Sequence, residues 1–127
     1  MHVHNLKNLC VAALLCVLPA AAFANPLGVW AGSVAQGTET ISVSATFTER
    51  SVDIHFAGAA ACRVKATYQK ADGRALLYGF EISTNGGPFC DNLWRNVLEV
   101  DYAEGDDTLK ISFGSSGKWS GTLDKQG

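Results

Sequence analysis

The sequence predicts an all-β protein: an antiparallel meander of about eight short strands, closed or nearly closed into a β-barrel and held by one disulfide. Three observations carry that expectation. From residue 28 onward, apolar and polar residues alternate with period two in one segment after another. Clusters of Gly, Asp, Asn and Pro separate these segments at short, regular spacing. The chain also opens and closes on one phrase, "GVWAGSV" at 28–34 and "GKWSGTL" at 117–123, as two strands meeting at a seam would.

A leader precedes this pattern. Lys7 supplies a positive flank, "LCVAALLCVLPAAAFA" an apolar stretch, and Ala22-Phe23-Ala24 small residues at a cleavage position. Residues 1–24 are therefore expected to be a signal peptide, since the apolar stretch is short for a membrane span and ends at Pro19. A lipid anchor would need a small residue before a cysteine, but Leu9 precedes Cys10 and Leu15 precedes Cys16. Cleavage near Ala24 would leave residues 25–127, a single β-barrel domain, periplasmic or secreted. Of ten Lys and Arg only Lys7 lies in the leader, and none of the twelve acids does, so nine bases face twelve acids, net −3. That mild acidity argues against nucleic acid as a partner.

The strands follow in order. "GVWAGSV" sends Trp30 inward and uses Gly32 for a close approach or tight curvature. "ETISVSATFT" places Ile41, Val43, Ala45 and Phe47 on one face and Thr40, Ser42, Ser44 and Thr46 on the other. "SVDIHFA" turns Val52, Ile54 and Phe56 inward, and "ACRVKATYQ" does the same with Cys62, Val64, Ala66 and Tyr68. "ALLYGFEIS" is apolar on nearly both faces, with Leu76, Tyr78, Phe80 and Ile82 the heavier one. "LWRNVLEVDY" sets Leu98, Val100 and Tyr102 against Val97, Glu99 and Asp101. "TLKISF" and "GKWSGTL" complete the set, with Leu109, Ile111, Phe113, Trp119 and Leu123 inward. Asp72-Gly73 is a strong hairpin signal. No window after the leader reads as a helix. In a meander of eight strands the first and last run antiparallel and can pair, which removes both sheet edges.

Cys10 and Cys16 leave with the leader, so Cys62 and Cys90 form an even count in an oxidising compartment and are expected to be a structural disulfide. A loop of about 29 residues closed this way is worth about 3–4 kcal/mol in the chain-entropy model. A redox pair would sit in Cys-x-x-Cys, and a metal site would need more ligands.

Large rings dominate the inward positions, and an eight-stranded barrel is just wide enough to fill itself or to hold one small ligand. The rings favour a filled interior. Ala45, Ala66, Gly32 and Gly121 keep open the alternative, a carrier of a small apolar ligand.

No catalytic constellation emerges from the spacing, so neither an enzymatic activity nor a cofactor or metal is expected. His55 is the one histidine after the leader, stands between Ile54 and Phe56, and so faces away from the core without an oriented acid or nucleophile. Glu99, Asp101, Glu104, Asp106 and Asp107 read as a solvated acidic hairpin, because "EGDD" does not match the Asp-rich calcium loop. Such a cluster would still steer a basic partner.

Two loops are candidates for binding. "STNGGPFCDNLWRN" at 83–96 is the longest stretch without alternation, and it places Phe89, Trp94 and Arg95 around Cys90. Aromatic residues and Arg are the enriched types of binding hot spots, and a tethered loop loses less entropy on binding. The alternative is that Phe89 and Trp94 cap one barrel end. The second loop, "FGSSGKW" at 113–119, offers Ser115, Ser116 and Lys118 on a deformable tip.

At this second loop the chain resembles the bacterial envelope inhibitors of C-type lysozyme, small exported β-barrels whose late strands carry a loop that enters the enzyme's cleft. The similar residues are Ser116, Gly117, Lys118 and Trp119, approached through a Gly-Ser stretch from Gly114. The cysteine positions differ from that family's. The opening Gly-x-Trp of a short all-β chain is similar also to bacterial protease-inhibitor barrels and to lipocalin-like or avidin-like barrels. The resemblance implies a protein-binding module of the envelope, an inhibitor or immunity-type protein whose exposed loops block a hydrolase or toxin.

Overall fold

The computed structural model describes residues 25–84, 86–114 and 118–127. Eight antiparallel strands close into an up-and-down barrel in chain order: β1 (Gly28–Gln36), β2 (Glu39–Phe47), β3 (Ser51–Phe56), β4 (Cys62–Asp72), β5 (Ala75–Phe80), β6 (Val97–Asp101), β7 (Thr108–Gly114) and β8 (Lys118–Lys125). The period-two segments are these strands, except that β5 ends at Phe80, which leaves Ile82 exposed and not inward as expected, and that one boundary shifts further. Residues 93–96 do not extend β6, because the chain from 88 onward folds instead into a short helix, α1 (Pro88–Asp91), followed by a turn. That helix is one the alternation pattern does not predict. A single 3₁₀ turn, Gly58–Ala60, links β3 to β4.

The repeated phrase lies on the seam. β1 and β8 pair antiparallel from Trp30↔Lys125 to Ala35↔Ser120, so each glycine of the phrase faces the opposite strand: Gly32↔Leu123 and Val34↔Gly121. A Cβ on Gly32 would collide with the Thr122 carbonyl oxygen, and one on Gly121 with the Ser33 carbonyl oxygen. Glycine at both positions lets the two backbones close the barrel. The two tryptophans stand at opposite ends of this seam, Trp30 buried near the chain termini and Trp119 half-buried at the far end.

Inward residues of all eight strands form one core, including Trp30, Phe47, Phe56, Tyr78, Phe80 and Phe113, with Tyr68, Tyr102 and Trp119 packed against it. The rings meet edge to face along the lumen: Phe47 with Tyr78, Tyr78 with Tyr68, Trp30 with Tyr102, and Phe80 with Phe113, at centroid distances of 5.6–5.8 Å. Each such contact adds about 0.5–1.5 kcal/mol beyond the area it buries. Trp30 satisfies its indole by donating from Nε1 to the Leu27 carbonyl at 3.0 Å. Tyr78, by contrast, buries a hydroxyl that has no hydrogen-bond partner among the described residues.

The meander sorts the connections between two ends. Both termini of the domain and the connections 48–50, 73–74 and 102–107 lie at one end, the base. The connections 37–38, 57–61 and 81–96, with the ends of β7 and β8 at Gly114 and Lys118, lie at the other, the mouth. The described residues of both candidate loops therefore belong to one end of the molecule.

Candidate functional site

The connection 81–96 shapes the mouth. It leaves β5 tied to β4: the Glu81 N–H donates to the Lys65 carbonyl at 2.8 Å, Ser83 Oγ to the Arg63 carbonyl at 2.9 Å, and the Thr67 hydroxyl to the Glu81 carboxylate. Gly87, at φ +103°, brings the chain over Cys62, and Pro88 opens α1 at a position where a missing N–H costs nothing. The disulfide Cys62–Cys90, with a Cα–Cα distance of 6.1 Å, then pins α1 to the start of β4. Both cysteines are buried.

From residue 88 the period changes from two to that of a helix, and this divides the loop's side chains. Phe89, Cys90 and Leu93 face the barrel, whereas Asp91, Asn92, Trp94 and Arg95 face solvent. Phe89 lies 4.9 Å from Phe56 and 5.6 Å from Trp119, edge to face, so it closes the barrel end. Trp94 does the opposite and is 45% exposed. Its neighbour Arg95 holds φ +74°, the one left-handed non-glycine residue among those described, and places its guanidinium carbon 4.4 Å from the Trp94 ring centroid. The turn is fixed behind them by Asn96, whose N–H donates to the Leu93 carbonyl at 2.8 Å and whose Nδ2 donates to the Asn92 carbonyl at 3.1 Å.

This arrangement presents an apolar ring and a stacked cation on a base tied to β4 by the disulfide. It offers a ring face for apolar contact and guanidinium hydrogens for a carboxylate or carbonyl. Lys118 stands exposed at the start of β8 on the same end, next to Trp119. Ser115 and Ser116, the other residues of the second loop, lie outside the described residues, as do residues 1–24, expected to be a signal peptide.

A cleft of about 610 Å³ opens beside this loop, between the mouth end of β2, the 57–61 connection and α1. Ile41, Phe89 and Trp119 line it together with the small residues 57–61. Sequence reasoning did not single this feature out, although the run "AGAAA" at 57–61 is a signal for it: four alanines and a glycine, too small to fill the space beside a strand.

His55 lies on the outer face of β3, exposed, opposite Arg63 of β4. The acidic residues of 99–107 gather toward the base, away from the mouth, and Asp101 meets Arg74 at 3.7 Å in an exposed pair of small energetic weight. Among the described residues no three His, Cys, Asp or Glu side chains come together as metal ligands, and no helix is long and apolar enough to cross a membrane. Comparison of the chain with protein-family models, curated proteins and solved structures finds no match.

Proposed function

We propose that the protein is an exported protein-binding module, an inhibitor or immunity-type protein of the bacterial envelope that blocks a hydrolase or toxin with the mouth of its barrel. The observation that carries this reading is the Trp94–Arg95 pair, an exposed ring and a stacked guanidinium on a loop clamped by a buried disulfide. Hot spots are built from these residue types, and a preformed loop spends little entropy on binding. Lys118 extends the surface, and the resemblance of residues 116–119 to the inhibitors of C-type lysozyme makes a hydrolase cleft the first target to try. Cleavage near Ala24 and release into the periplasm or medium belong to the same proposal.

The test is the affinity of the mature protein for its partner before and after the double substitution Trp94→Ala, Arg95→Ala. Loss of at least about 2 kcal/mol of binding, with an unchanged melting temperature, is the expected result. Unchanged affinity would overturn the loop assignment. The second reading, a carrier of a small apolar ligand, would have to use the cleft at the mouth, since rings occupy the lumen.

A further inference from the structure

The cleft carries an inference of its own, which rests on the protein-binding reading and deepens it. The Ser42 carbonyl accepts from the Ala57 N–H at 3.0 Å, and there the pairing of β2 with β3 stops: the last paired residues are Val43 and Phe56, and the chain turns away into Gly58–Ala60. β2 runs on, with Glu39, Thr40 and Ile41 paired to β1 alone. Backbone groups alternate sides along an antiparallel strand, so Thr40, two residues from Ser42, turns its N–H and C=O toward the cleft. The barrel thus keeps a short open strand edge at its mouth, with an apolar floor of Ile41, Phe89 and Trp119 beneath it. Glu39 is the one charged residue lining the cleft among the described residues.

We infer that this cleft takes an extended segment of the partner protein, added as a strand against Thr40 of β2, with a small or branched apolar side chain on the floor and a basic side chain beside Glu39. An open edge supplies main-chain hydrogen bonds, and the apolar floor selects alternate side chains. Among the described lining residues this carboxylate is the only charge, and it sets the sign of the occupant's charge.

The probe is a random linear peptide library displayed on phage and selected on the immobilised mature, disulfide-bonded protein. The expected winners alternate branched apolar residues with Lys or Arg. Three variants read their site. Thr40→Pro removes the outward N–H while Glu39 and Ile41 keep the bonds to β1, Ala59→Trp fills the cleft, and Glu39→Lys reverses the charge. Each should weaken the selected peptides about tenfold or more, with melting temperatures near that of the parent, while Lys110→Ala, exposed on β7 away from the cleft, leaves them unchanged. Because Ala59→Trp leaves the strand untouched, it decides the matter even if Thr40→Pro unsettles the hairpin. Peptides that respond to Trp94→Ala and not to Ala59→Trp would overturn the cleft inference and leave the loop reading standing. Acidic winners, or no winners on folded protein, would overturn it as well. So would a dimer of this chain lost on Thr40→Pro, or an apolar dye such as anilinonaphthalene sulfonate held in the cleft in place of peptides.

Discussion

Arg95 lies with its guanidinium carbon 4.4 Å from the ring centroid of Trp94, and it does so from a left-handed backbone position at φ +74°. A residue with a Cβ costs about 1–2 kcal/mol there. Arg95→Gly should therefore raise stability by about 1 kcal/mol in urea unfolding while removing the cation from the stack. The account expects binding to weaken as stability rises. A variant both more stable and equally tight would show that the left-handed arginine has no part in recognition.

The disulfide Cys62–Cys90 joins α1 to the first residue of β4 across a sequence separation of 28. Replacing both cysteines with Ala should cost about 3 kcal/mol by denaturant unfolding. Limited proteolysis should then cut first within 81–96, because the main tie of α1 to the barrel wall is gone.

Gly121→Ala would drive a methyl group into the Ser33 carbonyl oxygen at the seam. Overpacking of this kind costs about 1–3 kcal/mol, and the loss should appear as a lower urea midpoint. Gly105 makes the control: it has open space around it, so Gly105→Ala meets only the strain of its φ, +92°.

Tyr78 is wholly buried, and its hydroxyl has no partner among the described residues. Burial, and secondarily Tyr68 beside it, push the phenol well above the ordinary tyrosine range. The raised folded-state value means that the neutral form stabilises the fold fully below the ordinary tyrosine pKa, about 10. That stability drains away as pH rises past it, because the unfolded chain gives up the proton first. Tyr78→Phe should raise stability by about 1 kcal/mol at neutral pH, since it removes an unsatisfied polar group without changing shape. The same variant should flatten the alkaline loss, which thermal melts from neutral pH upward would show.

The strands were legible in the sequence because their alternation has one dominant cause, a sheet with one dry face. Val52, Ile54 and Phe56 are buried while Asp53 and His55 are exposed, as period two requires. The seam was legible from the repeated Gly-x-Trp-x-Gly, although the phrase did not reveal that its two tryptophans stand at opposite ends. Residues 88–94 were harder to read. A helix of four residues is too short to print a period, and Leu93 and Trp94 continue into the β6 alternation closely enough to pass for strand. The sequence therefore named Phe89, Trp94 and Arg95 together, and the helical turn separates them, with Phe89 packed inward and the other two displayed. The cleft had only the small-residue run at 57–61 to announce it, because it is made of what small side chains leave empty.

The central claim, that this barrel works by binding another protein, is tested most directly by a native mass spectrum of the protein recovered gently from the compartment that holds it. The account predicts a stoichiometric protein adduct on the disulfide-bonded chain, absent when Trp94→Ala, Arg95→Ala is expressed in its place. A small organic adduct with no protein bound, unchanged in that double variant, would contradict it.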